Sequence, residues 1–311
     1  MPDRRESERI PRDVETKLSR RPRPRDQDRR LLGWSVLATT LAIFAAVYFL
    51  FLVPPGFRIR TAGRAEILAA HPHRLLIFRY RHDPRIVVLD FPSLKLEGEM
   101  LNRLAALIGK AGLPRDRVLG NSELAAAIRA SGATPESFAS GHAYRAADLA
   151  LFFRLMAQDG VPADPEERRL RALLATLRWF RPGAVGALAS LPGPGLAAGP
   201  EAAGRAAILA HELAEGAYFT VPAYDVYAHR FFENVLDAQD RAAIRRYLAS
   251  RGYDALREDL LVNETQAMLM FPSDPSAAVP GLAPARVAAL RAIFWRGIPL
   301  AWLKSSIPAP P

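Results

Sequence analysis

The chain of 311 residues contains no cysteine. That excludes disulfide stapling and CxxC redox chemistry, so an extracytoplasmic domain would have to be held by its core alone. No P-loop and no Rossmann glycine fingerprint occurs. The G-x-G at Gly193–Gly195 lies within PGPG and reads as turn chemistry. There is no internal repeat at solenoid spacing. Strand patterns do not alternate with helix patterns along the chain, which argues against a doubly wound sheet. Long uncharged apolar runs are also missing, with one exception.

The exception is Leu31–Val53, LLGWSVLATTLAIFAAVYFLFLV, which carries no charged residue. At about 1.5 Å per residue it is long enough to cross a bilayer as one helix. Pro54-Pro55-Gly56 ends it. A cleaved signal peptide would have a shorter apolar core and a small-residue cleavage site. Here the core is long and VPPGF follows, so an uncleaved anchor is the better reading. A buried core helix is hard to reconcile with so charged a neighbour.

Residues 1–30 hold ten Arg and one Lys against seven Asp and Glu. Such a basic cluster before a span keeps the N-terminus in the cytoplasm. Arg58, Arg60 and Arg64 weaken this bias without reversing it. The expected organisation is a disordered basic tail (1–30), a transmembrane helix (31–53) and an extracytoplasmic domain (56–311). The expected location is the cytoplasmic membrane, with the main domain in the periplasm of a Gram-negative cell. The lipid bilayer is then the first partner. The net charge of +10 is shared between tail and domain. It implies attraction to anionic surfaces and no specific nucleic-acid site.

Beyond the anchor, Arg74–Tyr80 and Arg85–Phe91 read as two antiparallel strands. Helical periodicity then dominates. It predicts helices over Glu99–Gly112, Ser122–Gly132, Ala143–Gly160, Asp164–Phe180, Ala202–Phe219, Ala223–Val235, Ala238–Ser250, Ala255–Met270 and Pro284–Trp295. Residues 181–200, rich in Gly, Pro and Ala, read as a loop. The expected fold class is mainly α with a small N-terminal β hairpin or sheet, preceded by one transmembrane helix.

The helix over Ala202–Phe219 contains His211-Glu212-Leu213-Ala214-Glu215-Gly216. His211 and Glu215 are four apart and share a face, and Glu212 sits about 100° round from His211. This helix resembles the active-site helix of zincin metallopeptidases of the gluzincin type. Those have His-Glu-x-x-His, whereas this chain has His-Glu-x-x-Glu. The resemblance implies His211 as a zinc ligand, Glu212 as the base that activates water, and Glu215 in the place of the second histidine. A carboxylate oxygen can bind zinc. It also implies a glutamate on a later helix as third ligand, and Glu264 in LVNETQAMLMF fits, being a charge within an apolar segment that needs a partner or a metal. Tyr218 and Tyr224 are candidate oxyanion donors, although a structural aromatic cluster is the better reading of them.

The expected activity is metal-dependent cleavage of a peptide or amide bond, with Zn2+ as cofactor and a protein or cell-wall component as substrate. The alternative is a non-enzymatic envelope scaffold in which His211, Glu215 and Glu264 form a hydrogen-bonded polar core without metal. His142, in Ser140-Gly141-His142, is too little for a serine hydrolase but is a candidate for the same cleft as His211. Asp90, at a strand end, reads better as a cap than as a catalytic group. His71 and His73 are too few for a metal site, and the placement of His229 is open.

Overall fold

In the computed structural model the chain separates into two units, residues 1–55 and 56–311. The structure describes residues 57–138, 141–193, 201–272 and 279–305, with the side chains of 201–203 excepted. The apolar run 31–53 and the basic tail lie outside the described residues. Among the described residues no helix is long and apolar enough to cross a membrane.

The hairpin expected from the apolar runs is present. Strands β2 (Leu76–Tyr80) and β3 (Ile86–Phe91) pair antiparallel, with Ile77 opposite Leu89 and Phe78 opposite Val88. The connection is fixed by Asp83, whose Oδ1 accepts from the Arg85 backbone N–H at 3.1 Å and from Arg85 Nε at 2.8 Å. Every residue of β3 is buried. A strand covered on both faces shows a continuous apolar run instead of alternation.

The expected fold class is overturned at this point. The domain is mixed α/β, built on a five-stranded sheet in the order β1-β2-β3-β5-β4. Strand β1 (Ile59–Ala62) lies parallel to β2. Strand β5 (Ala187–Pro192) runs parallel to β3 within the segment read as a loop. Strand β4 (Ala143–Arg145) pairs antiparallel with β5 at the edge, where helical periodicity predicted the start of a helix. The physical reason is plain in β5. Its sequence, ALASLP, has no β-branched or aromatic residue, so no local propensity marks it. It is a strand because it is buried on all sides between β3 and β4.

Helices cover both faces. On one side lie α2 (Leu94–Ile108), α4 (Ala146–Gln158) and α5 (Pro165–Thr176). Met100, Leu104, Phe152 and Leu173 pack there with Val87 and Leu89 of β3. Asp164 caps α5, its Oδ1 accepting from Glu167 N–H at 2.8 Å while Glu167 Oε2 accepts from Asp164 N–H at 2.9 Å. That reciprocal pair was legible as Asp-Pro-Glu-Glu. On the other side α6 (Glu201–Thr220) lays Leu209 and Leu213 against Ile86, Val88, Ala187 and Ala189. Its back, through Ala214 and Ala217, joins a second core formed by α7 (Pro222–Asn234), α8 (Ala238–Ser250), α9 (Glu258–Met270) and α10 (Pro284–Gly297). Short helices α1 (Arg64–Leu68), α3 (Asn121–Ala130) and α11 (Ala301–Lys304) complete the described elements.

Gly98 on α2 lets the loop before residue 139 lie against the helix. A Cβ there would sit 2.5 Å from the Pro135 carbonyl oxygen. Gly98→Ala should therefore destabilise the protein by about 1–3 kcal/mol through overpacking. Urea denaturation checks this, and an unchanged midpoint would contradict the close approach.

Candidate metal centre

Helix α6 is buried all round at its centre, so its polar residues must find partners inside the protein. His211 is 9 % exposed, Glu212 2 % and Glu215 3 %. They face α9, which carries Asn263, Glu264, Thr265 and Gln266, all buried. His211, Glu215 and Glu264 each offer a ligand atom, and these atoms lie within 4.8 Å of one another. The group could hold a metal ion.

The surroundings orient each candidate ligand. His211 Nδ1 lies 2.9 Å from the Phe271 carbonyl oxygen. A carbonyl only accepts, so Nδ1 carries the proton and Nε2 keeps its lone pair. Burial pushes the His211 pKa down to about 4, so the ring is neutral at neutral pH. Glu215 Oε1 accepts from Asn263 Nδ2 at 2.8 Å. Asn263 Oδ1 accepts from Gln266 Nε2 at 3.2 Å, and Gln266 Oε1 accepts from the Tyr224 hydroxyl at 2.6 Å. This chain of donors runs one way and ends on Glu215. It fixes both amides and holds the carboxylate as an acceptor, the kind of outer support that metal ligands receive.

Glu212 lies beside Glu215, within hydrogen-bond reach. The carboxyls of Glu212, Glu215 and Glu264 are all held well above the usual range, by burial first and then by mutual repulsion. Glu97, from α2, adds a fourth buried acid. Its Oε1 accepts from Gly141 N–H at 3.0 Å and from Ser190 Oγ at 2.7 Å, and burial raises its pKa to about 7. Four buried polar atoms in this neighbourhood have no hydrogen-bond partner: Glu97 Oε2, Glu212 Oε2, His142 Nε2 and the Tyr144 hydroxyl. Buried polar atoms are normally satisfied. None of the four belongs to His211, Glu215 or Glu264; those three offer one imidazole nitrogen and two carboxylates, a donor set that could hold a cation.

A narrow cleft with about 40 Å3 of space opens onto this group, lined by Lys110, His142, Tyr144, Glu215, Tyr253 and Glu264 among others. His142 thus shares the cleft with the ligand group, as its sequence position allowed. The two tyrosines singled out from sequence lie elsewhere. Tyr224 is fully buried and committed to Gln266. The Tyr218 hydroxyl donates to Asp259 Oδ1 at 2.7 Å, and its ring stacks on His229. Asp90 is paired with Arg205 in the core.

Sequence reasoning missed Glu97, Lys110, Tyr144 and Tyr253. Glu97 left one trace, an acid placed one turn before Met100 and Leu101 on the apolar stripe of α2. Lys110 and Tyr253 left none, because an isolated backbone bridge between them brings them together. Comparisons with protein-family models, curated proteins and solved structures returned no match.

Proposed function

We propose that this protein is a membrane-anchored, zinc-dependent hydrolase of the zincin type, acting on peptide or amide bonds. The observation that carries the reading is the convergence of His211 and Glu215 from α6 with Glu264 from α9, ligand atoms within 4.8 Å of one another beside a cleft. One imidazole and two carboxylates suit Zn2+ with an open coordination position. When bound, zinc lowers the pKa of a coordinated water and polarises a carbonyl. His211 keeps its Nε2 lone pair free because its Nδ1–H is donated to the Phe271 carbonyl. Asn263 keeps Glu215 in place. Glu212, with one oxygen unpartnered, is positioned to take and return a proton. The uncharged apolar run 31–53 behind a basic tail supports an anchor in the cytoplasmic membrane with the domain on the periplasmic side.

The test is metal content followed by activity. The full-length chain should hold about one zinc, and His211→Ala and Glu264→Ala should each lose it while remaining folded. Glu212→Gln should keep the zinc and cleave a peptide library about 100- to 10,000-fold more slowly. A chain that binds no zinc on reconstitution contradicts the reading. The donor chain from Tyr224 to Glu215 would then favour the second reading, a polar-cored envelope scaffold.

A further inference from the structure

Lys110 lies just beyond the C-terminus of α2, and the segment is tied to the α8–α9 connection. Ala111 N–H donates to the Gly252 carbonyl at 2.9 Å, and Asp254 N–H donates to the Gly109 carbonyl at 2.9 Å. Arg115 braces the same turn, donating to the carbonyls of Ala106 and Leu107 at 2.9 and 2.5 Å. These ties direct the Lys110 side chain into the cleft. Its ammonium lies 5.0 Å from the Phe138 ring centroid and 5.8 Å from that of Tyr253. Among the described residues it forms no ion pair and no hydrogen bond, although Glu264 lies close enough to act on it electrostatically.

A half-buried ammonium without a hydrogen-bonded partner is costly unless something arrives to use it. The Tyr144 hydroxyl, 4 % exposed by residue, lines the same cleft and also lacks a partner. One cation and one neutral donor beside a metal group match the two oxygens of a carboxylate. Two other cations line the cleft, but Arg145 is paired with Asp148 and Asp259 and Arg257 donates to the Ile108 carbonyl, so Lys110 is the ammonium left without a hydrogen-bonded partner. In the loaded site Glu215 and Glu264 would balance the charge of a divalent ion, and one free ammonium beside them suits a monoanion better than a dianion.

We propose that Lys110 and Tyr144 form a carboxylate-binding subsite next to the metal group, so that the cleft takes small substrates carrying a carboxylate close to the bond that is cut. This rests on the metal reading above, because the ion offsets the repulsion from Glu215 and Glu264.

The test uses the full-length chain loaded with Co2+, whose visible absorption reports on the site, titrated with acetate. Acetate should shift the wild-type spectrum saturably. Lys110→Met should bind Co2+ normally but weaken acetate by about tenfold or more, the loss expected for one charge-assisted hydrogen bond. Lys110→Arg should restore most of the affinity. Tyr144→Phe should weaken acetate about threefold to tenfold, and it serves alone if Lys110→Met does not fold. The neutral isostere acetamide should show no dependence on Lys110. If Co2+ binds and acetate acts equally on wild type and the folded variants, the subsite is refuted while the metal reading stands. If wild type binds no Co2+, the metal reading fails and the subsite falls with it.

Discussion

Adding zinc to the metal-free protein will raise its melting temperature, and the rise will grow between pH 6.5 and pH 8. Glu212, Glu215 and Glu264 keep their protons in the folded metal-free state well above the usual carboxylate range. In the unfolded chain they ionise near pH 4.3. The folded state therefore binds more protons above that pH, and these groups make stability fall as pH rises through their folded pKa values. Glu97 adds the same sign, with its contribution ending near pH 7, where its folded pKa of about 7 lies. His142 and His211 act oppositely. Burial lowers them to about 3 and about 4, so they favour folding as pH rises from those values, and this effect is complete by about pH 6.5. Above pH 6.5 the two histidines no longer contribute, and these carboxyls should make metal-free stability decline.

Zinc reverses that decline because its carboxylate ligands must ionise to bind it. Binding releases protons and becomes tighter as pH rises. At a free zinc concentration about 1,000 times Kd the gain is about 4 kcal/mol. For a domain of this size that corresponds to a rise of roughly 10 °C. Differential scanning calorimetry with and without zinc at pH 6.5, 7.25 and 8 measures it. A zinc shift that does not change with pH would sink the assignment of Glu215 and Glu264 as ligands. Glu264→Gln should remove most of the shift, and with it part of the alkaline decline of the metal-free protein.

The second large effect lies away from the cleft, in the link that holds α6 to the sheet. Arg205 is buried and donates to Asp90 Oδ1 at 3.0 Å and Oδ2 at 2.7 Å. It also donates to the carbonyl oxygens of Pro192, at the end of β5, and of Ile67, in α1, the latter at 3.2 Å. One guanidinium therefore joins β3, β5, α1 and α6. Burial raises the Asp90 pKa while Arg205 pulls it back down. Arg205→Met leaves that carboxylate buried without its partner, and the expected cost is about 3–5 kcal/mol. Urea denaturation should show it as a lower midpoint with an unchanged slope. Adding Asp90→Leu to Arg205→Met should recover much of the loss, because the pair can be replaced by apolar groups at little net cost. A loss below about 1 kcal/mol in the single variant would be the signature of a solvent-screened pair.

Several elements were legible locally. The Asp164–Glu167 capping box, the β2–β3 hairpin and the helix around His211 all announce themselves through near neighbours in sequence. The candidate metal group was legible for a related reason. His211 and Glu215 are set one turn apart by helix geometry, and Glu264 stands out as a charge in an apolar stretch.

The sheet was not legible beyond its hairpin. Segment Ala187–Pro192 is made of residues that suit a loop or a helix, and only burial between two other strands makes it β5. Tyr144 was hidden for the same reason, since three residues of edge strand are too short to show a period of two. Tyr224 shows the converse. Its closeness in sequence to the ligand helix suggested chemistry, yet packing carries it into the core, where it supports Glu215 through Gln266 and Asn263.

The sequence by itself determined the absence of disulfides, the one-turn spacing of His211 and Glu215, the acid within an apolar stretch at position 264 and the apolar run at 31–53. Each is a property of composition or of neighbours within a few turns. The tertiary structure decided that Glu264 reaches His211, that Glu97 joins the buried acids and Lys110 the cleft, and that five strands form one sheet. Those depend on contacts between residues tens to more than a hundred positions apart, and no local periodicity encodes them.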